Sequence, residues 1–179
     1  MAKTFTNGGP SDYDRMTRLC RQYHPALADH EIRVALTFVR AFDKDEEPIT
    51  ALKFAGAPAN AVVKLLSPER KLREPFDAEI RVDGHIWDDL TDSEKDALID
   101  HELTHIKLVT DANGVVITND DNSPKLKLIP DDVILTAFLE VIRRHGDNCL
   151  DYKVIKTAGE AAANQLLNLL NEQPQPAAA

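Results

Sequence analysis

Two histidines four residues apart, the first followed directly by a glutamate, make His101-Glu102-Leu103-Thr104-His105 the stretch of this chain best suited to chemistry. Side chains at i and i+4 of a helix lie one above the other, so the two imidazoles can converge on a single ion. Glu102 stands near enough to take a proton from a water that the ion activates. Two neutral imidazoles completed by a carboxylate or a third His suit Zn2+ and leave a position open for water. The chemistry implied is metal-assisted hydrolysis, with His101 and His105 as ligands and Glu102 as general base.

The motif works only on a well-formed helix, and the residues before it supply one. Thr91-Asp92-Ser93-Glu94 is a capping box, in which Thr91 accepts from a first-turn N–H and Glu94 reaches back to the cap. The pattern predicts a helix from 92 to about 108, with Leu98, Ile99, Leu103 and Ile106 as its core contacts. Upstream, residues 1–10 read as a flexible leader, and Ser11 or Asp12 caps a helix that His24-Pro25 stops. Ile32, Val34, Leu36 and Phe38 alternate with Arg33, Ala35, Thr37 and Val39, the pattern of a strand buried mainly on one face. Ala61–Leu66 is a second apolar run, and Phe76, Ala78, Ile80 and Val82 mark a third strand closed by Asp83-Gly84.

Downstream, the Asn113-Gly114 turn, Val115–Ile117, a polar turn from Asn119 to Pro124 and Leu126–Ile129 predict a hairpin. Pro130 then opens a helix running to His145, which Gly146 terminates, and a last amphipathic helix is expected over Gly159–Asn171. The fold class is α+β: a mostly antiparallel sheet packed on the HExxH helix, with a hairpin and further C-terminal helices. The expected organisation is a leader over 1–10, a main domain over 11–150, a helical extension over 151–172 and a disordered tail over 173–179.

Composition narrows the functions. A chain of 179 residues, 43% hydrophobic and 28% charged, has room for one full-sized globular domain. Its 21 Lys+Arg against 30 Asp+Glu give a net charge of −9, a far field that repels phosphate backbones and anionic lipid. No nucleic-acid and no membrane partner is therefore expected. The polar start MAKTFTNGGPSDYDR lacks the apolar run of a signal peptide, which points to the cytoplasm. Cys20 and Cys149 lack redox or cluster spacing and read as ordinary half-buried thiols. The one locally basic segment, residues 64–73 with Lys64, Arg70, Lys71 and Arg73, reads as a solvated loop.

Five stretches carry a resemblance to a known family: QYHPALADHEI (22–32), the run from Ala61 through PERKL, FDAEIRVDGHIWDDL (76–90), TDSEKDALIDHELTH (91–105) and RRHGD (143–147). In their order they resemble the Putative phage metallopeptidase family, small zincin-like domains of phages and prophages. The resemblance implies a zinc-dependent peptidase with His101 and His105 as ligands, Glu102 as base, and a peptide substrate lying along the sheet edge beside the helix. A phage origin would place the protein in the host cytoplasm. The family's pattern often opens the helix after the hairpin with a His-Asp pair, where this chain has Pro130-Asp131-Asp132. By that correspondence Asp131 replaces the third imidazole.

Other ionisable residues have blander roles open to them. Glu140 and Asp132 are the rivals to Asp131 as third ligand, but Asp131 and Asp132 also suit helix capping, Glu140 a solvated helix edge and His145 a cation at a helix C-terminus. His24, His30 and His85 lack ligand spacing, and Trp87 is expected to pack beneath the active helix. The competing function is a non-catalytic, metal-containing protein of the same fold that binds a host or phage protein. Glu102 favours the enzyme, because a binding module needs no base at that position.

Overall fold

The computed structural model describes residues 2–131 and 138–157. The chain divides after Pro130 into two compact units. The first unit begins with β1 (Ala2–Asn7), α1 (Pro10–Tyr23), α2 (Pro25–Asp29) and β2 (Val34–Phe42). Three two-residue strands follow, β3 (Pro48–Ile49), β4 (Lys53–Phe54) and β5 (Ala57–Pro58), then β6 (Ala61–Leu65), the short α3 (Pro68–Lys71) and β7 (Ala78–Asp83). Next come α4 (Gly84–Asp89), α5 (Asp92–Thr104), β8 (Ile106–Leu108) and β9 (Leu126–Leu128). The second unit has α6 (Leu139–His145), a 3-10 turn over Gly146–Asn148 and α7 (Leu150–Thr157). The architecture is mixed α+β with small sheets and several helices. No described helix is long and apolar enough to cross a membrane.

The main sheet runs β1-β2-β7-β6, with β3 also paired to β2. Its outer pairings are antiparallel, but β2 and β7 lie parallel at the centre, with Leu36 opposite Ile80 and Phe38 opposite Val82. This central placement corrects the expectation of one-faced burial: Val34 through Val39 are all buried, Arg33's alternation notwithstanding. Residues 2–7, expected as part of a leader, instead form β1, whose side chains are all exposed and whose place is set by backbone pairing to β2.

Each face of the sheet has its own cover. The face with Phe38 meets Trp87 of α4 at 5.2 Å between ring centroids, and Lys95 of α5 sits 5.4 Å from the Trp87 ring centre. Trp87 therefore packs between sheet and helix as expected. On the far face Val39 and Ala41 form a second core with Ala51 and Leu52 from the arm that carries β3 to β5.

Charge is neutralised inside the sheet. Glu79, only 5% exposed, accepts from Thr37 Oγ1 at 3.0 Å, Arg70 Nη1 at 3.1 Å and Arg81 Nη2 at 2.9 Å. Burial alone would raise its pKa, but the bonds from Arg81, Arg70 and Thr37 outweigh burial and hold it below the ordinary 4.5. A carboxyl whose folded pKa is depressed stabilises the fold above its unfolded value and loses that contribution as pH falls through the folded one. Glu79→Gln is accordingly expected to cost stability at neutral pH, with the deficit shrinking as pH drops below 4.5 in urea titrations.

One helix end corrects the sequence reading. The capping box at Thr91 is present as expected, with Glu94 Oε2 accepting from Thr91 N at 2.8 Å. The helix, however, stops at Thr104 rather than 108, because Ile106-Lys107-Leu108 leaves it to pair antiparallel with Leu126-Lys127-Leu128. The hairpin arms are thus 106–108 and 126–128, and Val115–Ile117 lies within the connection, joined by isolated bridges from Thr110 to Val116 and from Thr118 to Pro124. In the second unit Gly146 does end α6, at a φ of 53° that glycine adopts readily. The helix start expected at 131–137 lies largely outside the described residues, as do the helix expected at 159–171 and the tail.

Candidate metal centre

The position of α5 is fixed by one of its faces. Asp92, Asp96 and Asp100 recur at four-residue spacing, so they form one row along the helix. Arg15 Nη2 of α1 reaches Asp92 Oδ1 at 2.6 Å and also pairs with Asp96, while Arg18 Nη2 meets Asp96 Oδ2 at 2.7 Å. Farther along, His24 Nε2 lies 2.6 Å from Asp100 Oδ1, with both side chains almost fully buried. Thr104 Oγ1 donates to the Asp100 carbonyl at 2.7 Å, closing the last turn. His24, expected as an ordinary polar residue, is therefore a buried anchor for the helix segment that carries His101. The three-aspartate row was the available signal for it.

With that face turned to α1, the adjoining face presents the motif. His101 and His105 are half-buried, with ring centroids 5.1 Å apart and ring planes at 69°. Glu102 is 4% exposed. One donor atom from each of His101, Glu102 and His105 lies within 4.8 Å of the others. The last histidine is oriented from outside the helix: His105 Nδ1 is 2.7 Å from the Ile129 carbonyl oxygen, and Ile129 N donates to the His105 carbonyl at 2.9 Å. A carbonyl only accepts, so Nδ1 carries a proton, and in the neutral ring it is Nε2 that keeps the lone pair. A metal-ligating histidine is commonly held by such a bond from its other ring nitrogen. The early end of α5 and the orientation of His105 thus have a common cause, the pairing of 105–108 with 126–129.

Two converging imidazoles, one of them in a fixed tautomer, with a buried carboxylate beside them, are a donor set that fits a divalent metal. A family model described as Putative phage metallopeptidase matches residues 12–164. The chain belongs to this family. The family's description suggests a hydrolase and implies a metal ion and peptide or protein substrates. No curated protein and no solved structure matches the chain.

The remaining candidates fall in different places. Asp131 is half-buried and begins the second unit, and Asp132 lies outside the described residues. Glu140 is exposed on α6 and ion-paired with Arg144 one turn on. His145 is the last residue of α6. His85 Nε2 lies 3.2 Å from the Ala41 carbonyl, with its ring edge-on to Phe42, a structural placement in keeping with its expected role. His30 caps the C-terminus of α2. Cys149 is buried, and its thiol is pushed up to about 11 mainly by that burial, helped by Asp151. Burial also raises Cys20. Neither thiol is poised for nucleophilic work at neutral pH.

Proposed function

We propose that the protein is a zincin-like, zinc-dependent metallopeptidase acting in the host cytoplasm, with His101, His105 and Asp131 as metal ligands and Glu102 as general base. The observation that carries this reading is the convergence of the His101, Glu102 and His105 donor atoms within 4.8 Å, with His105 Nδ1 committed to the Ile129 carbonyl. Zinc, when bound, supplies a Lewis acid that polarises the scissile carbonyl and acidifies water. Glu102 accepts the proton of the attacking water and returns it to the departing amine. Glu102 favours the enzyme over a purely binding role, because a binding module needs no base at that position. The test is hydrolysis of a labelled protein mixture: chelator should abolish it and added Zn2+ restore it, whereas hydrolysis indifferent to chelation would refute the reading.

Asp131 as third ligand rests on the family resemblance, by which it stands at the position of the third imidazole. Asp131→Ala should weaken zinc binding by at least ~10–100-fold, the cost seen even for residues that only support a ligand. Glu140→Ala should leave it unchanged. Competition titration with a chromophoric chelator measures both, and release of zinc by the Glu140 change alone would move the third ligand to α6.

A further inference from the structure

The sheet face opposite α5 carries a cleft of about 580 Å³ between the β3–β5 arm and β6. Its floor is Ala51, Leu52 and Val62, and its rim holds Lys3, Lys53, Lys64 and Arg81. No acidic side chain lines it, in a chain whose acidic residues outnumber its basic ones by 30 to 21. Strand register explains the convergence. Arg81 stands opposite Val62 and Lys64 opposite Glu79, so they share a face, and Lys3 stands opposite Ala41, a member of the far-face core. Lys3 Nζ donates to the Ala51 carbonyl at 2.7 Å, pinning the arm, and Arg81 is held by Glu79. Lys53 and Lys64 are exposed and make no ion pair among the described residues. Beside them Phe54, which also lines the cleft, is 68% exposed, and Phe5, two residues from Lys3 on the same face of β1, is 58% exposed.

We propose that this cleft is a docking site for an acidic polypeptide segment that also bears apolar side chains. The unpaired lysines complement its carboxylates, and the apolar floor with Phe54 receives its apolar groups. A phosphate backbone fits less well, because a net charge of −9 repels a polyanion at long range and the floor offers it no polar partner. The site is separate from the HExxH helix and does not depend on hydrolysis.

The test is fluorescence anisotropy with a rhodamine-labelled peptide alternating Glu and Leu, using the full chain with Glu102→Gln so that the probe stays intact. Saturable binding is expected that weakens with added salt. The Lys53→Glu/Lys64→Glu variant should bind about tenfold or more weakly, and Phe54→Ser should bind more weakly at unchanged salt dependence. Because all three positions are exposed, circular dichroism should show native folding. Absence of saturable binding overturns the proposal, and so does equal binding by the charge-reversed variant. Tighter binding of labelled oligothymidylate at the same lysines would overturn it in favour of a nucleic-acid site.

Discussion

Replacing Glu102 with Gln is expected to lower peptide hydrolysis by ~10²–10⁴-fold, the usual contribution of a positioned general base, while leaving bound zinc and thermal stability in place. The amide keeps the shape of the carboxylate in a position that is only 4% exposed, so no cavity or clash arises. What it loses is the ability to accept a proton. Turnover of a labelled peptide, read beside the metal content of the same sample, separates the two effects. In cells, new protein N-termini should appear with the native chain and be missing with the variant. A variant that hydrolyses as fast as the native protein would strip Glu102 of the base role, whereas a native chain that turns over no peptide, with the variant equally competent in its biological task, would leave the fold a binding module.

Changing either histidine to Ala should release the ion and with it the activity, with zinc affinity falling by at least ~100-fold. The His105 change should also lower stability without metal. His105 holds the Ile129 carbonyl at 2.7 Å, where α5 hands over to the β8–β9 hairpin. Its loss costs that bond, so the metal-free His105→Ala protein should be less stable than the metal-free native protein by ~1 kcal/mol. Urea denaturation in the presence of chelator measures the difference. Native protein with zinc should exceed both, since a ligand bound only by the folded state adds stability through linkage.

How much of this was legible in the chain depends on how local the cause was. The start of α5 was readable because Thr91 and Glu94 form their capping box within one turn. Its end was not, because Ile106 and Leu108 continue a helical apolar pattern as well as they begin a strand. The partner that decides between them, Leu126-Lys127-Leu128, lies about twenty residues on in the same alternating pattern. β1 escaped notice because its exposed side chains contribute nothing to its placement, which is made by backbone bonds to β2. Parallel pairing of β2 with β7 is a long-range event, so two-faced burial of Val34–Val39 could not be told from one-faced alternation.

The site divides in the same way. His101, Glu102 and His105 were visible as a spaced trio because helix geometry alone brings them together. The groups that steady them, His24 on Asp100 and the Ile129 carbonyl on His105, come from elsewhere in the chain. The row of Asp92, Asp96 and Asp100 could have flagged a buried helix face, yet aspartates at that spacing equally describe a solvated one. The far-face cleft draws Lys3, Lys53, Lys64 and Arg81 from separate strands, and only the sheet register unites them.

On the proposed function, the centre formed by His101, His105 and Glu102 is loaded with metal as the protein is purified. Elemental analysis of native protein purified without chelator, alongside the His101→Ala variant, tests it most directly. The native protein should carry about one zinc per chain and the variant close to none. A native preparation holding no first-row metal, or a variant that retains a full equivalent, would contradict the account.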